Sequence, residues 1–127
     1  MRNIAVFLGE LQLDTQRKVL EGIAEAAKAD GNNVVVYCLT LSKDEEFNIG
    51  ESAAMQYDDF SIYDGFIIYS ESIYSEKIRN IVIDKIRSQN RPCASIDCPI
   101  EGMINVSSDN ESAMRALSDH LINEHKI

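Results

Sequence analysis

The chain has 127 residues, 45% of them hydrophobic, and a formal net charge of -9. This length suits one domain with a real core. So acidic a surface excludes direct binding of DNA or RNA, both polyanions, by this chain. No run approaches the roughly 18 consecutive apolar residues of a membrane span. The opening MRNIAVFLGEL is too short for a signal peptide and reads as a first strand. Cys38, Cys93 and Cys98 have no metal-ligand spacing. They point to reduced thiols in a cytoplasmic protein, with a Cys93–Cys98 bridge as the alternative.

Taken in order, the chain alternates strand and helix. Ile4 to Leu8 is a continuous apolar run that stops at Gly9, the pattern of a strand covered on both faces. A helix is expected from about Asp14 to Ala29. Its inward stripe comprises Val19, Leu20, Ile23, Ala24, Ala26 and Ala27. Asp14 or Thr15 is positioned to cap it, and Gly31 suits its exit. Val34 to Leu39 reads as a second strand of the buried type. Between Thr40 and Asp64 the pattern is irregular. Lys43-Asp44-Glu45-Glu46 has the composition of a helix start, Gly50 weakens that helix, and Met55 to Ile62 has no clear period.

A third strand is expected over Gly65–Tyr69, then a helix capped by Ser75 and reaching about Gln89, with Ile78, Ile81, Val82 and Ile86 on one face. Pro92 to Ile96 forms a fourth strand and Met103 to Val106 a short fifth. The last helix should turn Ala113, Ala116, Leu117 and Leu121 inward, and Ser108 and Glu111 have capping-box spacing. Five strands interleaved with four helical segments predict an α/β fold: an open, doubly wound parallel sheet with helices on both faces. The chain ends just after the last helix, where a further strand would be expected. The expectation is a fragment of a longer protein.

Several chemistries lack their residues. Gly9 stands alone in its strand–helix turn, so there is no dinucleotide fingerprint, and no phosphate-binding GxxxxGK[ST] loop occurs. No serine sits in a GxSxG elbow. His120 and His125 are five apart, which does not place them on one helical face for zinc; His120 reads as a surface or boundary residue. A phospho-accepting receiver domain needs clustered acids after the first strand, where only Glu10 stands. It also needs an Asp after the third strand, where Tyr69-Ser70 stand, and a Lys after the fifth, where Ser107 to Asn110 stand. What remains is Asp97 and Asp109, two acids where strands give way to loops, the edge at which open parallel sheets bind ligands.

The same segment resembles the sugar-sensing domains of the lactose/galactose repressor (LacI/GalR) family. The matching features are Pro92, Ile96-Asp97, Pro99 with Gly102, Val106 with Asp109-Asn110, and His120-Leu121-Ile122. Tyr63-Asp64-Gly65-Phe66-Ile67-Ile68 matches the family's "DGIII" strand, and Glu21-Gly22-Ile23 with Ala26-Ala27 matches its first helix. The likeness spans nearly the whole chain. Glu10-Leu11-Gln12-Leu13-Asp14 stands where the family often has Asn-Pro-Phe, and Glu124-His125 replaces its Gly-His. The repressors' N-terminal helix-turn-helix has no counterpart before Ile4. Phe47 to Asp64 resembles sensor domains at the start of multidomain bacterial signalling proteins, whose output is often a GGDEF diguanylate cyclase.

The resemblance implies a type I periplasmic-binding-protein fold in which a ligand sits between two similar subdomains. Residues 1–127 would be the N-terminal one, with the second subdomain and the output module absent. The half-site it implies comprises Glu10, Leu11 and Gln12 after strand one, Tyr69 and Ser70 after strand three, Asp97 after strand four and Asp109 after strand five. The ligand is sugar-like, neither cofactor nor metal is implied, and no catalysis occurs in this chain. A homodimer is expected, through the outer faces of the subdomain or through surface that the second subdomain covers. Structural roles stand beside each of these. Asp109 would serve as a helix cap, Asp97 as a turn residue, Glu10 as a solvated acid and Tyr69 as a packing ring. The competing functions are the effector-binding core of a LacI-family transcriptional regulator, a self-contained flavodoxin-like enzyme or nucleotide-binding domain, and a transport-type sugar receptor.

Overall fold

In the computed structural model of the protein, the described residues are 1–40, 43–107 and 110–123, with the side chains of 110–113 outside the description. Five parallel strands form one sheet in the order β2-β1-β3-β4-β5. They are β1 (Asn3–Gly9), β2 (Asn33–Leu39), β3 (Gly65–Ile68), β4 (Cys93–Ile96) and β5 (Ile104–Val106). The helices are α1 (Asp14–Ala29), α2 (Glu45–Glu51), α3 (Ala53–Tyr57), α4 (Glu76–Ser88) and α5 (Asn110–Asn123), with 3-10 turns at Phe60–Ile62 and Ser70–Ser72. The expected α/β architecture is therefore present.

Alternation along the central strand sorts the core into two layers. Ala5 and Phe7 point to the side of α3 and α4, where they join Tyr37, Phe60, Tyr63, Phe66, Ile68, Ile78, Val82 and Ile86. Val6 and Leu8 point to the side of α1, against Val19, Leu20 and Ile23. The first layer is aromatic. Phe7 stacks on Tyr37 with centroids 4.9 Å apart, and Phe60 lies 5.2 Å from Phe7. The Tyr37 hydroxyl donates to Asp58 Oδ2 at 2.8 Å and lies 2.6 Å from that of Tyr63, so both hydroxyls in this layer are paired. Lys85 Nζ sits 4.0 Å over the Phe60 ring and donates to the carbonyls of Met55 and Gln56.

α4 follows expectation. Ser75 caps it by accepting from Ile78 N–H, and Ile78, Val82 and Ile86 are buried at helical spacing, each worth about 2 kcal/mol. Other elements depart from it. Leu13, not Asp14 or Thr15, occupies the cap of α1 and makes no side-chain cap bond; Asp14 is already helical and pairs with Arg17. Ala24 and Ala26 are exposed, because α1 meets the sheet along a narrower stripe through Val19, Leu20, Ile23 and Ala27. β2 is an edge strand. Val35 and Val36 stay 39% and 38% exposed, so its apolar run does not mark burial on both faces. β3 ends at Ile68, one residue before Tyr69. The irregular stretch forms α2, capped by Asp44 and tolerating Gly50, and then α3, which buries Met55.

The largest departure is α5. Ala116, Leu117 and Leu121 are exposed rather than inward. The helix follows a three-residue edge strand that is itself exposed. The side chain of Ala113, the Ser108–Glu111 cap and Asp109 lie outside what is described.

Candidate functional site

Parallel strands deliver their carboxyl ends to one edge of the sheet, and the chain turns there into loops. At the end of β1, Gly9 N–H donates to Ser72 Oγ at 2.8 Å, and that hydroxyl donates to the Tyr69 carbonyl at 2.6 Å. A Cβ on Gly9 would stand 2.2 Å from the Ser72 carbonyl oxygen, so only glycine lets the two loops touch. Glu10 then adopts a left-handed φ of 59° and donates its N–H to the Leu39 carbonyl at 2.7 Å. This turn sends Leu11 into the layer beside α1 and leaves Gln12 exposed.

Tyr69 follows β3. Its ring is buried against Val6 and Leu8, its N–H donates to the Phe7 carbonyl at 2.9 Å, and its hydroxyl donates to Asp97 Oδ2 at 3.2 Å. Burial, then the hydrogen bond to Asp97, then the nearby negative charge raise its pKa above that of an ordinary phenol, so it stays protonated as a donor. Ser70, next in line, is buried at the start of the 3-10 turn, and its carbonyl accepts from Ile73 N–H.

Asp97 follows β4 in a tight turn. Its φ is 64°, and Cys98 N–H closes onto the Ile96 carbonyl at 2.8 Å around it. This is a γ-turn with a left-handed centre, a strained conformation of the kind that collects at functional sites. Its own N–H donates to the Val106 carbonyl at 2.8 Å, which fixes the carboxylate between β4 and β5. Among the described residues Oδ2 accepts from Tyr69 and Oδ1 takes no partner.

These residues line one cleft of about 310 Å³, walled by Thr15 and Val19 of α1, Tyr69, Ile96, Asp97, Val106 and Ser107. It presents a carboxylate and three hydroxyls around an apolar wall of one isoleucine and two valines. A carboxylate accepts from two hydroxyls at once, and hydroxyl side chains both donate and accept. The chemistry suits a small polyhydroxylated molecule with an apolar face. Of the seven residues the sequence pointed to, Tyr69 and Asp97 meet in this cleft. Glu10, Leu11, Gln12 and Ser70 lie along the same strand-end edge outside its lining, and Asp109 lies outside the described residues. Thr15 and Ser107 were missed. Thr15 carries a legible signal, a hydroxyl in the first turn of the helix that leaves β1.

A larger groove of about 500 Å³ adjoins the cleft and shares Val19, Ile96 and Val106 with it. Its floor is apolar, with Ile4, Ile23 and Ile67, so the polar chemistry concentrates in the smaller cleft. The three cysteines are free. Among the described residues no group of three or more His, Cys, Asp or Glu is placed to hold a metal, and no helix is long and apolar enough to cross a membrane.

No family model and no curated protein matches the chain. Among solved structures it is similar to a LacI family transcriptional regulator, CCPA from Weissella paramesenteroides, in two forms. With bound glucose the identity is 17% and the TM-score 0.66; with bound sucrose they are 16% and 0.65. Each match covers 96% of this chain but only 42% of the other. This likeness establishes the fold, and it is the fold that the resemblance in sequence implies.

Proposed function

We propose that residues 1–127 form one wall of a clamshell site for a sugar-like ligand and that a second subdomain beyond this chain supplies the facing wall. The observation that carries the reading is the Tyr69–Asp97 pair, held at 3.2 Å on a strained turn in the strand-end cleft. The pair leaves one carboxylate oxygen for ligand hydroxyls, while Val19, Ile96 and Val106 face the C–H side of a sugar ring. Support also comes from the neighbours of the same fold, which were solved with glucose and sucrose bound.

In this reading the chain does no chemistry. Ligand closes the two walls, and an output module responds to the shift in population. The neighbours are transcriptional regulators, which favours a DNA-binding output in another part of the protein. The Phe47–Asp64 likeness to signalling sensors favours a diguanylate cyclase output. Either operates in the cytoplasm, and the chain pairs with a second copy of itself.

A thermal-shift screen of neutral sugars, nucleosides and nucleotide cofactors tests the ligand class. Sugars should raise the Tm of the chain and leave that of Asp97→Asn unmoved. Stabilisation by a nucleotide cofactor instead would replace this reading with the nucleotide-binding one.

A further inference from the structure

Asp97 differs from the other acids that the fold holds in place. Asp64 accepts from Asn3 N–H at 2.8 Å and stands 3.9 Å from Arg91. Asp59 accepts from Ser61 N–H, and Asp44 accepts from Glu46 N–H at the start of α2. Glu51 accepts from both the N–H and the hydroxyl of Thr40, each at 2.6 Å. At Asp97 the main chain consumes the amides that would do this. Its own N–H goes to the Val106 carbonyl, and that of Cys98 goes to the Ile96 carbonyl. The carboxylate keeps a neutral phenol, Tyr69, as its partner among the described residues.

The surrounding edge adds negative charge rather than removing it. Glu10 follows β1 and Glu71 follows β3, and neither pairs with a cation among the described residues. The charge of Glu71 reaches the site, because it adds to the upward shift of the Tyr69 phenol. No lysine or arginine lines the cleft. Lys18, one turn along α1 from Thr15, lines the larger groove instead, and Arg17 is paired with Asp14. Among the described residues of the strand-end loops the one cation is Lys43, after β2. β2 stands three places from β4 in the sheet, about 14 Å at the usual strand spacing. That exceeds the Debye length of about 8 Å at physiological salt.

We propose that the cleft selects a sugar carrying a protonated amine, with the ammonium on Asp97 Oδ1, and that it rejects sugar acids and sugar phosphates. A neutral hydroxyl gives that oxygen a hydrogen bond and leaves its charge standing. An ammonium gives a charge-assisted bond and cancels the charge. The difference grows when the walls close. Closure takes the carboxylate out of water, and a buried carboxylate without a counter-charge is costly. The hydroxyls of Thr15 and Ser107 remain for the other groups of the ring, and Ile96 and Val106 for its C–H face. An anionic sugar meets Asp97 and Glu71 with no cation in the lining to hold it. The proposal rests on the sugar reading given above and narrows its ligand class by charge.

The test titrates the 127-residue chain with glucose, glucosamine, N-acetylglucosamine, glucuronate, glucose 6-phosphate and ethanolamine, read by amide chemical shifts at low salt. Glucosamine should bind about ten-fold more tightly than glucose, the usual gain of a charge-assisted over a neutral hydrogen bond. N-acetylglucosamine, whose nitrogen carries no charge, should fall back to the level of glucose. Glucuronate and glucose 6-phosphate should bind more weakly than glucose. Ethanolamine, an amine without the ring, should bind more weakly than glucosamine. The gap between glucosamine and glucose should narrow at high salt. It should also narrow about two-fold in Glu71→Gln, which lies outside the lining and should leave glucose binding unchanged. Equal binding of glucose and glucosamine overturns the proposal and leaves the sugar reading intact. So does tighter binding of either anionic sugar, or a gap that neither salt nor Glu71→Gln changes. Ethanolamine binding as tightly as glucosamine overturns it as well, since charge alone then suffices. If no sugar binds, both the proposal and the sugar reading fail.

Discussion

The face of the sheet toward α3 and α4 is closed by interlocking aromatic rings, whereas the face toward α1 is covered over only part of its width. On the closed side Phe7, Phe60, Phe66, Ile68, Ile78, Val82 and Ile86 are at most 2% exposed, and the polar atoms among them are paired. On the other side Val6 and Leu8 are buried, but Ile4, Ile23, Ile67 and Ile96 are covered only in part. Most stability therefore resides in the first layer, while the second keeps apolar surface open next to the polar cleft. The division lets the ligand edge carry a strained Asp97 without endangering the core.

The contrast is broken most directly by deletion on each side. Phe7→Ala should cost about 4 kcal/mol, whereas Ile67→Ala, half covered, should cost about 1 kcal/mol. Urea unfolding reads both; equal losses would mean the faces are equally packed. Gly9→Ala forces a methyl group onto the Ser72 carbonyl and should cost about 2–3 kcal/mol, with most of the disturbance at the strand-end loops in amide chemical shifts.

Tyr37 sharpens the comparison through pH. Burial first, then its hydrogen bonds to Tyr63 and Asp58, raise its pKa above the ordinary phenol value. A group whose folded pKa is raised keeps its proton longer in the folded state. Its contribution is therefore intact below about pH 10, the unfolded value, and is lost as pH climbs toward the folded value. Urea midpoints should thus fall above about pH 10, and Tyr37→Phe should flatten that fall while costing about 1–2 kcal/mol at neutral pH. The smallest effect on stability is expected from Asp97→Asn, within about 0.5 kcal/mol, because asparagine also tolerates a left-handed φ. Sugar-induced stabilisation should nevertheless disappear in that variant.

The strand–helix alternation was legible because β1, β3 and α4 satisfy their own periodicities and Ser75 caps as its position suggests. The stretch from Thr40 to Asp64 was not, since α2 and α3 are too short to display a period. Met55 reaches the core from α3, and Phe60 from the 3-10 turn after it, without a pattern to announce either. β2 misled because three consecutive valines look buried in sequence, but a strand at the sheet's edge has a neighbour on one side alone. α5 misled differently: an apolar stripe says that a helix face needs a partner and is silent on which surface provides it. At the site, Tyr69 and Asp97 were readable from strand ends. Ser107 was not, since its place in the cleft comes from how α1 and β5 converge on it, whereas Thr15 was overlooked although its hydroxyl stands in the first turn of the helix that leaves β1.

The central claim, that the Tyr69–Asp97 cleft receives a sugar, is tested most directly by following backbone amide and methyl resonances of the labelled chain as glucose is added. A half-site should bind in the millimolar range. Saturable shifts are expected at Thr15, Val19, Tyr69, Ile96, Asp97 and Ser107, and none on the face of α4. Shifts that fall elsewhere, or resonances of the cleft that stay fixed at saturating glucose, sucrose and related neutral sugars, would contradict it.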